Sequence, residues 1–323
     1  MSGLTFVDVC SGAGGLALGL ERAGFEPRLL LDEDDDACRT LRTNRPRWNV
    51  LQTDLLDFDP SEHPESYDVD LLSAGLPRVK SNATTVRVES GDEERLLKAA
   101  IYLTHAIKPR ALLVENVPTL AHSDRFRDFR EFARAEMEHL GYQFSWFVLN
   151  AADFGVPQDR KQGVLIAIKE QWFPSFVPPT PTRANHMSVG EALGDSMRSR
   201  GWQDADRWAT QAATVAPTLV GGSRNRGGAD LGPSGAKRKW EKLGVNAHSL
   251  GNEIPGPDFM WAPALGREGL VRLTVEQTAL LQGFPADWKI TGKKTARYRQ
   301  VGHASPPPVG EALGRAVAEA LRS

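Results

Sequence analysis

Short apolar runs in the first half of the chain alternate with amphipathic stretches of helix length. The runs are four to six residues long and end in turn-forming or acidic residues, which is typical of buried strands. Strands separated by helices form a parallel, doubly wound sheet, so we predict an α/β protein with a mostly parallel sheet. The predicted strands are 4–9, 28–31, 69–73, 111–114, 144–149 and 163–168, and the predicted helices are 16–23, 37–44, 96–107 and 126–140.

The alternating pattern ends at a proline-rich stretch, 174–183. Residues 184–262 are rich in Gly, Pro and Arg and show little regular periodicity, so we predict a small second domain or a long insertion there. The pattern returns near Arg272, where Thr274 is expected to cap a helix, and an amphipathic helix over 309–321 closes the chain.

Charge is unevenly distributed, although the net charge of the 323 residues is only −2. Residues 1–70 carry 6 basic and 15 acidic side chains, whereas 183–245 carry 10 and 6, and 271–303 carry 6 and 2. This asymmetry favours a neutral or cationic small molecule at one face and a polyanion at another. Arg224 and Arg226 lie among four glycines, as in a loop that approaches a phosphate backbone, and Lys237 and Arg238 extend the basic stretch.

Several classes of protein are disfavoured by composition. Two cysteines, Cys10 and Cys38, are too few for a disulfide scaffold or a Cys-rich zinc site, and we predict no metal. No apolar run reaches the ~18–20 residues of a membrane span, and the N-terminus lacks the pattern of a signal peptide. We expect a cytoplasmic protein without a membrane partner, associated with the nucleoid if it binds DNA.

A glycine-rich turn follows the first strand and precedes a helix, which is the position of a ligand in doubly wound sheets. Its pattern, D-x-x-S-G-A-G-G, is neither the dinucleotide fingerprint nor a P-loop. Asp32 ends the second strand, where a ribose hydroxyl pair is usually held, and Asp54 ends a further possible strand. An acidic rim suits a cofactor with positive charge and no phosphates, which indicates S-adenosylmethionine.

Several motifs, taken in order along nearly the whole chain, resemble those of DNA (cytosine-5) methyltransferases. The resemblance predicts the class I S-adenosylmethionine-dependent methyltransferase fold. It implies a catalytic and cofactor-binding domain over 1–175 and 270–323, and a DNA-recognition domain over 176–269. The matching segments are FVDVCSGAGG (6–15), Asp32 with Ala37, ENV (115–117), FGVPQDR (154–160), RLTVEQ (272–277) with QGFP (282–285), and QVGHASPP (300–307).

Residue roles follow from the same resemblance. Glu115 would hold the ring nitrogen N3 of a cytosine, and Arg160 would also belong to the catalytic site. The cofactor would be bound by Phe6, Ser11, Gly12, Ala13, Gly14, Gly15, Asp32, Asp54, Leu55, Pro77, His303 and Ala304. Double-stranded DNA would be bound by Arg224, Arg226, Lys237 and Arg238.

The chain departs from the family pattern at the nucleophile. Family members attack C6 of cytosine with a cysteine that follows a proline, but here Pro77 is followed by Arg78. An arginine stays protonated and cannot act as a nucleophile. The second arginine of the family's Q-x-R-x-R segment is Gln162, and the asparagine of the final motif is His303. Cys10 and Cys38 are expected to be buried side chains and not substitutes for the nucleophile.

Three functions remain open from the sequence. The first is a family member that keeps the cofactor and DNA surfaces but lacks standard chemistry, and that acts in DNA binding, modification or restriction and defence, with a possible partner protein. The second is an active methyltransferase that methylates an exocyclic amine, which requires no covalent adduct. The third, a small-molecule methyltransferase, explains the arginine-rich residues 184–262 poorly.

Overall fold

The structure is a computed structural model that describes residues 3–79, 90–222 and 228–323. The strands are β1 (Leu4–Val9), β2 (Phe25–Asp32), β3 (Val50–Gln52), β4 (Leu71–Gly75), β5 (Ala111–Asn116), β6 (Tyr142–Asn150), β7 (Gln158–Asp159), β8 (Lys161–Lys169) and β9 (Ala216–Pro217). The helices are α1 (Gly15–Arg22), α2 (Asp35–Asn44), α3 (Ser90–Ile107), α4 (Pro118–His122), α5 (Arg127–His139), α6 (Val189–Arg198), α7 (Ala205–Gln211), α8 (Ser234–Lys242), α9 (Val275–Leu281), α10 (Lys294–His303) and α11 (Pro307–Arg322).

Among the described residues, seven strands form one sheet in the order β3-β2-β1-β4-β5-β8-β6. The pairs β1/β2, β2/β3, β1/β4 and β4/β5 are parallel, and β8 runs antiparallel to β5. The central strands are apolar on both faces and their side chains are buried, as expected for strands covered by helices on either side. The predicted mostly parallel, doubly wound sheet is confirmed.

The chain divides into two compact units. The first contains Met1–Leu149, Lys161–Thr180 and Val309–Ser323, and the second contains Asn150–Arg160 and Pro181–Pro308. These units are defined by contacts alone, and the predicted functional domains, 1–175 with 270–323 and 176–269, stay a prediction. Residues 270–308 belong to the second unit because α9 packs against both α6 and α10. That the units serve catalysis and DNA recognition stays a prediction.

The final helix completes the first unit. Gly310 and Gly314 of α11 lie against α1, where a Cβ on Gly310 would come within 3.0 Å of the Leu16 carbonyl oxygen. Glycine at these positions therefore allows the two helices to approach closely. This contact fixes the helix that follows the predicted cofactor turn.

The second unit contains three helices that were not predicted individually. Residues 184–262, whose sequence shows little regular periodicity, include α6, α7 and α8. The helix predicted after Thr274 is present, and the Thr274 side chain forms a reciprocal capping box with Gln277. Within the described part of the chain, no helix combines the length and the apolar character needed to cross a bilayer.

Candidate functional site

The predicted cofactor turn follows β1 in the first unit. Cys10, Gly12 and Gly14 have φ angles of 55°, 54° and 80°, so the turn passes three times through the left-handed region. Glycine enters this region without strain, whereas Cys10 has a conformation that non-glycine residues rarely adopt. The Ser11 amide donates to the Leu31 carbonyl oxygen at 3.0 Å, which fastens the turn to the end of β2.

Asp32 is tied directly to this turn. Its Oδ2 accepts a hydrogen bond from the Gly12 amide at 2.8 Å, and its Oδ1 accepts one from the Asp34 amide at 2.9 Å. Burial raises the pKa of Asp32, and the two amide bonds act in the opposite direction. The structure therefore brings together the predicted ribose-binding acid and the glycine turn.

Carboxylates surround the turn at Cys10. Burial raises the pKa of the Cys10 thiol well above its usual value, and the charges of Asp32, Asp8, Glu33 and Asp54 raise it further. The thiol is therefore protonated at neutral pH and is a poor nucleophile. The same negative charges favour a ligand that carries positive charge.

The remaining predicted cofactor residues differ in their surroundings. Phe6 is fully buried and packs edge to face against Phe25, with 6.5 Å between ring centroids. Leu55 is buried, whereas Pro77 is exposed. His303 and Ala304 belong to the second unit, at the carboxyl end of α10. The role of each in cofactor binding stays a prediction.

A second group of polar residues lies where β4 and β5 end. Asn116 is fully buried, and its Oδ1 accepts from the Val79 amide at 3.1 Å. Its Nδ2 donates to the carbonyl oxygens of Pro77 at 3.1 Å and Leu76 at 3.4 Å. One side chain thus fixes the main chain on both sides of residue 78.

Arg78 and Glu115 form an ion pair at this place. Arg78 Nη2 lies 3.5 Å from Glu115 Oε1, and the side chains are 28% and 4% exposed. Among the described residues, neither of these two atoms has a hydrogen-bond partner. The pair is therefore held by charge and not by a bidentate hydrogen bond. The structure thus brings Arg78 and Glu115 together, and the roles predicted for them, occupant of the nucleophile position and cytosine-binding acid, stay predictions.

Asp8 begins the pattern D-x-x-S-G-A-G-G, but neither it nor Ser73 was assigned a role from the sequence. Asp8 is fully buried in β1, and its Oδ1 accepts a hydrogen bond from Ser73 Oγ on β4 at 2.5 Å. Burial raises the pKa of Asp8 to about 7. A carboxyl group in the middle of an apolar strand was the available signal, since such groups are rarely buried without a specific reason.

The residues predicted to bind DNA have different environments. Lys237 of α8 donates to Asp230 Oδ2 at 2.9 Å, whereas Arg238 is exposed. Arg224 and Arg226 lie outside the described residues.

Arg160 was predicted to belong to the catalytic site. Its side chain is fully buried in the second unit, and its catalytic role stays a prediction.

The order of these features along the chain matches a known family. A model of the C-5 cytosine-specific DNA methylase family matches residues 4–319. The chain belongs to this family. Members of this family use S-adenosyl-L-methionine as their cofactor, and DNA is the expected substrate.

Two curated bacterial relatives are similar to almost the whole of this chain. Type II methyltransferase M.NaeI of Lentzea aerocolonigenes is 42% identical over 327 residues, which cover 99% of this chain and 76% of that protein. Type II methyltransferase M.NgoMIV of Neisseria gonorrhoeae is 38% identical over 327 residues, which cover 98% of both chains.

Solved structures share the fold at low sequence identity. The Dnmt2 methyltransferase of S. pombe superposes with a TM-score of 0.66 at 15% identity, covering 99% of this chain and 100% of that chain. The methyltransferase EhMeth of Entamoeba histolytica gives a TM-score of 0.68 at 14% identity, with both chains fully covered. The chain therefore has the class I methyltransferase fold of the C-5 cytosine-specific DNA methylase family.

Proposed function

We propose that this chain binds S-adenosyl-L-methionine and double-stranded DNA but does not carry out standard C5 methylation by itself. It would act in DNA binding, modification or restriction and defence, as an impaired or non-standard member of its family. The observation that supports this proposal is the ion pair between Arg78, at the nucleophile position, and Glu115, the predicted cytosine-binding acid.

The chemistry of cytosine explains why this pair matters. C5 is a poor nucleophile until another group adds to C6, and a guanidinium that stays protonated cannot form that bond. Neither cysteine is a substitute. The Cys10 thiol is kept neutral by burial and neighbouring carboxylates, and burial raises the pKa of Cys38 to about 11.

The first unit retains features that fit the cofactor. S-adenosyl-L-methionine carries its transferable methyl group on a positively charged sulfur, and the carboxylates around Cys10 suit a cation. We assign Asp32 to the ribose hydroxyl groups, because each oxygen of an ionised carboxylate can accept more than one hydrogen bond. The left-handed glycines Gly12 and Gly14 let the main chain approach the ligand closely.

We assign DNA binding to the second unit. Arg224, Arg226 and the exposed Arg238 would contact phosphates. Lys237 would contribute less, because its charge is already paired with Asp230. The Type II relatives support a place in restriction and modification, and a partner protein would supply any missing catalytic group.

The deciding experiment measures methyl transfer directly. Wild type, Arg78→Cys and Arg78→Ala are incubated with tritiated S-adenosyl-L-methionine and DNA of mixed sequence, and the label retained on the DNA is counted. We expect cofactor binding without transfer in the wild type, transfer by Arg78→Cys, and none by Arg78→Ala. The alanine variant separates removal of the guanidinium from gain of a thiol.

Two results would contradict the proposal. Label on DNA from the wild type would mean that methylation proceeds without the cysteine, and digestion to nucleosides would show whether an exocyclic amine carries the methyl group. Failure of the wild type to bind S-adenosyl-L-methionine would remove the cofactor assignment, and failure to bind DNA would remove the DNA assignment.

A third result concerns the catalytic groups. If Arg78→Cys transfers nothing and forms no covalent adduct with 5-fluorocytosine DNA, more than one catalytic group is missing.

A further inference from the structure

A second basic stretch of the sequence, 271–303, belongs to the second unit and lies wholly within the described residues. It carries six basic side chains against two acidic ones. One of the acidic side chains, Glu276 of α9, forms an ion pair with Arg297 of α10. The excess of positive charge therefore rests on the other basic residues, which the assigned phosphate contacts do not include.

Two of these residues, Arg272 and Lys294, are brought together by the segment from Leu250 to Asn252. Lys294 Nζ donates to the Leu250 carbonyl oxygen, and to Asn252 Oδ1 at 3.0 Å. Gly251 lies so close to Arg272 that a Cβ on it would come within 3.0 Å of the Arg272 carbonyl oxygen. Burial lowers the pKa of Lys294, and the charge of Arg272 lowers it further. The two cations therefore repel each other.

This positive charge is not paired locally. In the part of the chain that the structure describes, no carboxylate forms an ion pair with Arg272, Lys293 or Lys294. Glu253, the acidic residue next to the segment, is already paired with Arg200 at 2.5 Å. Because the side chains of Arg272 and Lys293 are exposed, they present their charge to solvent.

The ammonium group of Lys294 is held in place by neutral groups. An ammonium has three N–H donors, and here two of them are used by a main-chain carbonyl and a side-chain amide. Neither acceptor cancels the charge, and among the described residues the third donor has no acceptor. A cation that is already held binds an anion without the entropic cost of ordering a flexible side chain.

We propose that Arg272, Lys293 and Lys294, which we name the Arg272 cluster, form a second phosphate-binding surface for double-stranded DNA. Adjacent cations without carboxylate partners suit the backbone of a duplex, where phosphates recur at short intervals. The Arg272 cluster is separate in sequence from Arg238 of α8, the exposed arginine already assigned to phosphates. This inference rests on the proposed DNA binding by the second unit.

The test uses the full chain and measures its affinity for a labelled DNA duplex of mixed sequence by fluorescence anisotropy at several salt concentrations. Arg272→Gln and Lys293→Gln each remove one exposed cation, and within the described residues neither change breaks an ion pair. Arg207→Gln is the matched control, because Arg207 is an exposed arginine of the same unit that is paired with Asp204. Thermal unfolding of each variant is followed at low and at high salt.

We expect Arg272→Gln and Lys293→Gln each to reduce the slope of log affinity against log salt concentration by about one, because each removes one phosphate contact. Each should also weaken binding at low salt by roughly fivefold. Arg207→Gln should change neither quantity. Combining Arg272→Gln with Arg238→Gln should reduce the slope by about two, since separate phosphate contacts add.

The melting temperature separates DNA binding from a structural role. Arg272→Gln removes the repulsion with Lys294, so it should raise the Tm at low salt. It should have little effect at high salt, where the repulsion is screened. A residue that served only the fold would lower the Tm when it is replaced.

Three outcomes would overturn the inference while leaving the proposed function intact. DNA binding with a wild-type salt slope in Arg272→Gln, Lys293→Gln and their double variant would place the DNA elsewhere. An equal loss of slope in Arg207→Gln would show that any cation of the unit contributes. Weaker binding together with a lower Tm at both salt concentrations would assign Arg272 to the fold instead. If the wild type does not bind DNA at all, the proposed function fails and the inference fails with it.

Discussion

Replacing Asp8 with asparagine is expected to reduce the pH dependence of stability. The Asp8 carboxyl is fully buried, and its Oδ1 is bonded to Ser73 Oγ. Burial raises its pKa from 3.8 to about 7, although hydrogen bonds from Ser73 and Ser11 act in the opposite direction. The folded protein therefore keeps a proton on Asp8 at pH values where the unfolded chain has released it.

The size of the effect follows from this shift. Between pH 3.8 and about 7 the folded state binds more protons than the unfolded state, so the free energy of unfolding falls as pH rises. Relative to its value below pH 3.8, and at about 1.4 kcal/mol per pKa unit, the free energy of unfolding is lower by about 1.5 kcal/mol at pH 5 and by about 4 kcal/mol at pH 8. Asparagine does not ionise, and its buried amide adds a cost of about 1–3 kcal/mol that is independent of pH.

Urea unfolding followed by tryptophan fluorescence at pH 5 and pH 8 measures this difference. The stability of Asp8→Asn relative to wild type should be higher at pH 8 than at pH 5 by about 2.5 kcal/mol. Asp57→Asn is the control, because Asp57 is exposed and its substitution should have the same small effect at both pH values. An equal effect of Asp8→Asn at the two pH values would refute the reasoning, since Asp8 would then be ionised in the folded protein throughout.

Three further predictions concern binding and the ion pair. Asp32→Ala should weaken S-adenosyl-L-methionine binding roughly ten- to a hundredfold, because it removes a charged acceptor; unchanged affinity by calorimetry would remove the assignment. Arg78→Ala should lower the free energy of unfolding by roughly 1–3 kcal/mol, because Glu115 is left buried without a partner. Adding Glu115→Gln should recover most of that loss, and an additive loss in urea unfolding would contradict the ion pair. Arg238→Gln should reduce the salt slope of DNA binding by about one, whereas Lys237→Gln should reduce it less, and equal slopes would argue against the pairing of Lys237 with Asp230.

The sheet was predictable because its central strands are apolar on both faces. The predicted strand 4–9 coincides with β1, and the other predicted strands all overlap observed ones. The helices α6, α7 and α8 of the second unit were missed because each has only 7 to 10 residues, which is too short for a clear apolar periodicity. One local signal was present: Ser188 is followed three residues later by Glu191, and the two form a capping box at the start of α6.

The sequence predicted contacts within the site only where two residues both lie at the ends of neighbouring strands. Asp32 meets the glycine turn because β1 and β2 are parallel neighbours whose carboxyl ends share one edge of the sheet. The pairing of Asp8 with Ser73 depends on the order of β1 and β4 in the sheet and on their register. Neither the order nor the register can be read from the positions of apolar runs in the sequence. The contact between Arg78 and Glu115 depends on the path of a loop, and loop paths follow from tertiary hydrogen bonds such as those of Asn116.

The hydrogen bonds of Asn116 also bear on how such a protein changes over generations. Within the described part of the chain, they go to the main chain of residues 76, 77, 79 and 117, and none goes to the side chain of residue 78. The loop can therefore keep its path whether position 78 holds a thiol or a guanidinium. Codons for cysteine and arginine can differ by a single base, so under the proposed assignment of position 78 one point mutation suffices to exchange a thiol for a fixed charge without rebuilding the loop around it.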